Sequence, residues 1–273
     1  MKKTKSLLLS TPYLVWMVVF TLIPLGVVAY YALTDPATGA FSLGNVKSLG
    51  MYLPVLWKSI GYSLVSAFIC LLLGYPVAYY IAHRSPTAQK FLYMLVMLPM
   101  CMSFLLRTLA WVGLLQDTGI INTLLSKLGL PRLTLIRTPG AVVLGMVYNY
   151  LPYMILPLYT AMTKIDNSVV EAAQDLGANV FQILLRVLIP LARPGIATGI
   201  TMVFVPAVST FIISRMLGGG ANLLIGDLIE LQFLGNSYNL NLGSAMSLVL
   251  MVIVLLCMSF TSSFDEEEME GVM

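Results

Sequence analysis

Charge is scarce in this chain. Of 273 residues, 10% are Asp, Glu, Lys or Arg, where a soluble domain carries about a quarter. Hydrophobic residues make up 59% and mean hydropathy is +0.90, so the chain reads as a polytopic membrane protein. The net charge of +3 is small and the basic residues are scattered, which leaves no footprint for nucleic acid. There is one histidine, His83, and a single histidine cannot build a multi-histidine metal centre. Beside Arg84 in a link between apolar runs, it reads as an exposed polar residue. Cys70, Cys101 and Cys257 sit inside apolar runs without zinc or disulfide spacing, as small buried hydrophobes do. Neither Gly-x-Ser-x-Gly nor His-Glu-x-x-His occurs, so an intramembrane hydrolase lacks its parts. Gly218-Gly219-Gly220 is not a phosphate loop, because no Gly-x4-Gly-Lys-Ser/Thr follows it or stands elsewhere.

What is abundant is apolar length. A spanning helix needs about 20 apolar residues, and six stretches qualify: roughly Pro12–Leu33, Ser59–Ala82, Phe91–Leu115, Gly140–Met162, Gly195–Ser214 and Gly243–Phe264. The first follows Lys2, Lys3 and Lys5 but is too long for a signal peptide and has no clear cleavage site, so it is expected to remain as a span. Outer segments lie at Thr34–Lys58, Asp117–Thr138 and Arg215–Leu242. The second carries an apolar stretch near Ile120–Leu130 that suits a re-entrant or interfacial helix. The acidic end, 265–273, reads as a disordered tail. The organisation is therefore 1–58 (stub, first span, outer segment), 59–264 (five-span core with a loop at 165–190) and 265–273 (tail). Proline recurs within spans (Pro24, Pro76, Pro99, Pro152, Pro157, Pro206), which suits a bundle that bends. Gly195 and Gly199 form a small-xxx-small pair for close helix packing.

Lys2, Lys3, Lys5, Arg84, Lys90, Lys164, Arg186 and Arg193 fall on one side of these spans. Lys47, Lys58, Lys127, Arg132, Arg137 and Arg215 fall on the other. Eight against six places both termini and the 165–190 loop in the cytoplasm by a narrow margin. That loop is built as two helices. Ser168 and Glu171 have capping-box spacing. Val169, Ala172, Ala173 and Leu176 form an apolar stripe opposite Glu171, Gln174 and Asp175. Gly177 suits a left-handed helix end, Asn179 a second cap, and Pro190 a stop.

The run Glu171-Ala172-Ala173, three residues, Gly177, nine residues, Val187-Leu188-Ile189-Pro190 resembles the EAA loop of ABC-importer permeases, which has Ile and Leu where Val187 and Ile189 stand. Leu73–Pro76, Leu151–Tyr153, Pro157–Tyr159 and Gly218–Leu234 extend the resemblance over nearly the whole chain, towards permeases of spermidine/putrescine importers. It implies an all-α, six-span, type I ABC-importer permease fold: a five-helix core plus one N-terminal helix, in the bacterial inner membrane. It implies a second homologous permease subunit, two copies of a cytoplasmic ATPase that binds the ATP and magnesium, and an extracytoplasmic solute-binding protein. No cofactor and no catalysis are then expected of this chain. Glu171, Ala172, Ala173, Asp175 and Gly177 would couple it to the ATPase.

Candidates for touching solute come from chemistry. Arg107 lies within the third span, where a charge costs about 2.5–3.5 kcal/mol on insertion scales and must face protein or a wet cavity. A purely structural role, bonded to a backbone carbonyl, is the alternative. Tyr148, Asn149 and Tyr153, with Tyr150, cluster in the fourth span and could line a path or simply pack. Asp227 and Glu230, with Asp35 and Asp117, are the acids on the outer side, and a second subunit would supply more. A permease for another small solute fits the same features. An ion-coupled secondary carrier needs intramembrane acids or a broken-helix ion site, and the one clearly intramembrane charge is the basic Arg107.

Overall fold

The computed structural model describes residues 11–35, 38–235 and 238–270; Lys2, Lys3, Lys5 and the last three residues of the acidic tail lie outside them. The described residues are helical apart from their connections and one isolated bridge between Thr34 and Phe41. In chain order the helices are α1 (Thr11–Ala32), α2 (Leu53–Ala82), α3 (Pro86–Met97), α4 (Phe104–Leu115), α5 (Ile120–Lys127) and α6 (Pro139–Met162). Then come α7 (Asn167–Asp175), α8 (Val180–Leu191), α9 (Arg193–Val208), α10 (Ile225–Leu234) and α11 (Leu240–Glu270). Five helices are long and apolar enough to cross a membrane, and six spans result if the bent pair α8–α9 counts as one.

The chain divides into two compact units. The first comprises the described residues of Met1–Pro54 and Leu228–Ile253. Its α1 is apolar on every side and its apolar window buries nothing, the condition of a helix surrounded by lipid. Carbonyls near the end of α1, where helical partners run out, are closed by two asparagines. Asn45 donates to Ala32 and Thr34 at 3.3 and 2.8 Å, and Asn241 donates to Tyr31 and Thr34 at 2.9 and 2.8 Å.

The second unit comprises Val55–Asp227 and Val254–Met273, and α6 packed on α9 forms its centre. The glycines of α9 explain the close approach. A Cβ on Gly195 would come within 2.9 Å of the Pro157 carbonyl, and one on Gly199 within 2.7 Å of the Met154 sulfur. The small-xxx-small expectation is met, with α6 as the neighbour. Lipid tails are as apolar as Met146, Met154 and Leu158, so dispersion in a dense contact rather than exclusion of water holds this pair together.

Three expectations are corrected. The third span is not continuous: α3 and α4 are separated by a 3₁₀ turn at Leu98–Cys101 and extended backbone at Met102, because Pro99 cannot donate to the ladder. The fifth span ends at Val208 rather than Ser214. The last helix does not end at Phe264; its backbone continues through the acidic residues to Glu270. The α5 segment, left open above, is a short helix with Ile120 and Leu124 exposed on one side. Asn122 pins it, donating to Leu133 O at 2.9 Å and accepting from Leu133 N at 2.9 Å.

Candidate functional site

The 165–190 loop caps itself at every turn. Asp166, not Ser168, starts α7: its carboxylate accepts from Ser168 N at 3.0 Å, and the Ser168 bonds hold it below the usual carboxylate range. The string Asp166-Asn167-Ser168 offers three cap-type residues, and the first one wins. At the other end Gly177 has φ +80°, Gly177 N donates to Gln174 O at 2.8 Å and Ala178 N to Ala173 O at 3.0 Å. That crossed pair is the Schellman closure, which a left-handed glycine permits. Asn179 then opens α8 with a reciprocal box: it accepts from Gln182 N at 2.8 Å, and Gln182 accepts from Asn179 N at 2.9 Å.

The expected stop at Pro190 is one residue early. A π turn at Leu184–Leu188, in which Ile189 N reaches back to Leu184 O, accommodates the proline. The helix breaks at Ala192, and α9 leaves at 73° to α8.

The stripe assigned to bury α7 is also displaced. Val170 is buried and Ala173 half-buried, while Val169, Ala172 and Leu176 point outward with Glu171 and Asp175. Leu176 is 89% exposed, Val180 84% and Phe181 68%, so the bend shows water a compact apolar tip beside two carboxylates. Behind it lies an apolar cavity of about 680 Å³, walled by Phe68, Leu72 and Tyr75 of α2, Val170 and Gln174 of α7 and Leu188 of α8.

The solute candidates separate into two groups. Arg107 is buried on α4, its guanidinium 6.0 Å from the Phe104 ring. Phe104 stacks at 6.4 Å on Tyr150, which lies 6.4 Å from Tyr153 and donates to Pro206 O at 3.2 Å. Tyr148 meets Trp111 edge to face at 5.3 Å. Phe104, Arg107 and Trp111 recur at helical spacing, a signal that sequence reading missed. Asn149 is buried and donates back to Gly145 O at 2.9 Å.

Asp227 belongs to a different arrangement. It is fully buried, accepts from Leu224 N at 2.8 Å and lies 3.9 Å from Arg215 Nε. Burial pushes its carboxyl up, against the lowering effect of Leu224, Ser214 and Arg215. Ser59 of α2 takes the next donor, Ile225 N, at 2.8 Å. Together they satisfy two N–H groups at the start of α10, a structural place for Asp227 in this conformation. Glu230 is half-buried one turn on. The triple glycine is likewise a built turn. Asn222 donates to Arg137 O and Gly218 O at 3.0 and 3.1 Å and accepts from Lys58 Nζ at 3.1 Å, while Arg137 N donates to Leu217 O at 2.7 Å.

A bundle of apolar spans with a capped, water-facing bend between α6 and α9 defines a class of membrane subunit. The family model for the inner membrane component of binding-protein-dependent transport systems matches residues 71–265, and the chain belongs to that family. It is a multi-pass permease subunit of the bacterial inner membrane. Among curated relatives, the spermidine/putrescine transport system permease protein PotB of Haemophilus influenzae is 39% identical over 250 residues, covering 88% of this chain and 87% of that one. The PotB of Escherichia coli is 36% identical over 88% of this chain and 90% of its own length. The inner membrane ABC transporter permease YdcU of Escherichia coli is 31% identical over 88% and 81%. Among solved structures, a bacterial importer of the acidic polysaccharide alginate aligns at TM-score 0.72 with 20% identity, over 96% of both chains. The inward-facing methionine transporter MetNI aligns at 0.58 with 17% identity, over 78% of this chain and 93% of that one. At these identities the two structures establish the fold.

Proposed function

We propose that the chain is one of two permease subunits of an ATP-driven importer for polyamines such as spermidine and putrescine. The observation that carries the importer reading is the self-capped bend at Gly177 with its exposed Leu176, Val180 and Phe181. An apolar tip in water is a docking surface, and its neighbours Glu171 and Asp175 supply polar contacts to a cytoplasmic ATPase. Ala172 allows close approach there, while the small Ala173 serves packing inside the chain. The relatives named for spermidine/putrescine transport support the solute. A second permease subunit, two ATPase copies that hold ATP and magnesium, and a binding protein complete the machine, with both termini in the cytoplasm.

The chain's own contribution is mechanical. Closure of the ATPase dimer pushes the two bends together. Local caps make α7 and α8 move as one piece, and the cavity behind them gives that piece room to shift against α2. The 73° break at Ala192 passes the movement to α9 and, through the glycine contacts, to α6. Taking the outward state from 1:99 to 99:1 requires about 5.5 kcal/mol of nucleotide preference.

The test is ATPase activity of the full complex in vesicles, with binding protein and a panel of solutes. Stimulation by spermidine or putrescine is expected. Stimulation by another solute alone would keep the importer and remove the polyamine. No co-purifying ATPase would remove both.

A further inference from the structure

The segment 116–138 joins α4 to α6 at the membrane boundary opposite the 165–190 bend, and its fold is fixed by bonds and close packing. A Cβ on Gly119 would come within 2.6 Å of the Leu114 carbonyl, so glycine lets α5 start hard against the end of α4. Asn122, 1% exposed, ties α5 to Leu133 through both of its bonds. Gly129 has φ +74°, and Leu130 N donates to Leu125 O at 2.9 Å where the helix ends.

α5 has three faces where a helix on a single solvent boundary has two. Ile121, Asn122 and Leu125 face the protein. Ile120, Leu124 and Leu128 recur every fourth residue and are 60%, 55% and 74% exposed. Thr123, Ser126 and Lys127 are exposed along the other side. Water alone gives no reason to hold three large apolar side chains out in a row, and lipid alone gives none for the polar strip beside them. A lipid–water boundary running along the helix accounts for both. Past the helix end, Leu130 and Leu133 stay about half exposed and continue the apolar surface.

Charge favours lipid over a protein partner. The segment holds one acid, Asp117, against Lys127, Arg132 and Arg137. Outer connections of membrane proteins are normally poor in Lys and Arg, so these three call for a reason. Arg137 packs over Gly219. Lys127 and Arg132 are exposed and have no hydrogen bond or ion pair among the described residues. Long cationic side chains at the rim of an apolar strip lay their stems on it and reach headgroup phosphates with their tips.

We propose that α5 and the turn at 128–133 lie along the outer leaflet of the bilayer, with Ile120, Leu124 and Leu128 in the acyl boundary and Lys127 and Arg132 on the phosphates of anionic phospholipids. The attachment holds the outer ends of α4 and α6 against the leaflet while the inner bend moves. Which side is outer rests on the importer reading above; the placement itself needs no solute.

The experiment uses the whole complex in vesicles of phosphatidylcholine mixed with phosphatidylglycerol. Cys101→Ala and Cys257→Ala remove the thiols that a label could reach, Cys70 being buried. A nitroxide is then placed at Leu124→Cys or at Ser126→Cys. The Leu124 label is expected to collide with oxygen, which concentrates in lipid, more than with a water-soluble nickel chelate, and the Ser126 label to show the reverse. Chelate reaching both labels would put the apolar row in water and overturn the proposal. A Leu124 label shielded from both probes, always or only once the binding protein is added, would put a protein on the row and overturn it as well. Lys127→Gln with Arg132→Gln tests the headgroups without a label, so it also decides where the labelled variants do not assemble. Wild-type uptake is expected to be about twofold or more faster in the mixed vesicles than in phosphatidylcholine alone, and the double variant to lose that advantage. An equal advantage in both, or none in wild type, overturns the phosphate contacts. A wild-type complex that takes up no polyamine overturns the importer reading, and the labels, which need no transport, still judge the placement.

Discussion

Two glycine turns of this molecule share a positive φ and little else. Gly177, at the inner bend, has φ +80° and open space where a side chain would be. Gly219, in the outer turn, has φ +62° and the Arg137 side chain 3.1 Å from where a Cβ would stand. The inner bend is held by bonds between residues at most five apart: Asp166 with Ser168, Ala178 with Ala173, Asn179 with Gln182. The outer turn is held by residues far away in sequence, Lys58 and Arg137 on Asn222, and Ser59 on Ile225. A piece rigid through local bonds can move as a body without losing them. A piece rigid through distant bonds moves only by breaking them. The inner bend is therefore suited to transmit motion, and the outer turn to hold α2, α6 and α10 in register.

The sharpest way to break that contrast is Gly177→Val. A β-branched residue in the left-handed region costs about 1–3 kcal/mol, and the strain falls on the Schellman closure to Gln174 O and Ala173 O. Uptake is expected to fall by about tenfold or more with loss of solute-stimulated ATPase activity. Gly177→Asn, which tolerates the conformation, should fall between. Normal uptake and normal stimulation in Gly177→Val would remove the bend from the mechanism.

Asn222→Ala attacks the other side. It strands the Arg137 and Gly218 carbonyls and leaves Lys58 Nζ only its 3.4 Å bond to Ala221 O, at a cost of about 1–3 kcal/mol. The expected result is a lower melting temperature of the purified complex, with the ratio of solute moved to ATP hydrolysed unchanged. A changed ratio at unchanged melting temperature would mean that the outer turn transmits motion too. Leu176→Gln separates docking from folding. Leu176 is 89% exposed, so melting of this chain should stay within about 0.5 kcal/mol of wild type. The ATPase should nonetheless co-purify less well, and equal co-purification would show that the exposed tip is not the docking surface.

How far the sequence foretold this contrast depends on the range of the bonds. Gly177 and Asn179 were legible because their partners lie within a few residues, and composition alone exposes apolar spans. Even locally, competition misleads: three cap-type residues stand in a row at Asp166, Asn167 and Ser168, and the stripe through Leu176 reads as buried until the structure turns it outward. The outer turn was illegible for the opposite reason. Three consecutive glycines read as flexible, and nothing in that stretch announces that Asn222 reaches Lys58 and Arg137. Asp227 reads as a solute contact because an outer acid in a polyamine permease invites it; its bond to Leu224 is local, but its complete burial is a tertiary fact. Arg107 was legible as costly, and its aromatic surroundings on α6 were not.

The smallest expected effect sharpens the reading of the outer turn. Gly220 follows Gly219 directly, yet a Cβ there would meet nothing within 4 Å, and its φ is not in the left-handed region. Gly220→Ala should therefore be neutral, or stabilising by about 0.4–1 kcal/mol through reduced freedom of the unfolded chain. Gly219→Ala combines a left-handed φ with a neighbour at 3.1 Å and should destabilise. Melting of the two variants side by side checks the difference. If the turn owed its shape to glycine flexibility as such, both would cost alike; if it is a built turn bolted by Asn222, only Gly219 is sensitive.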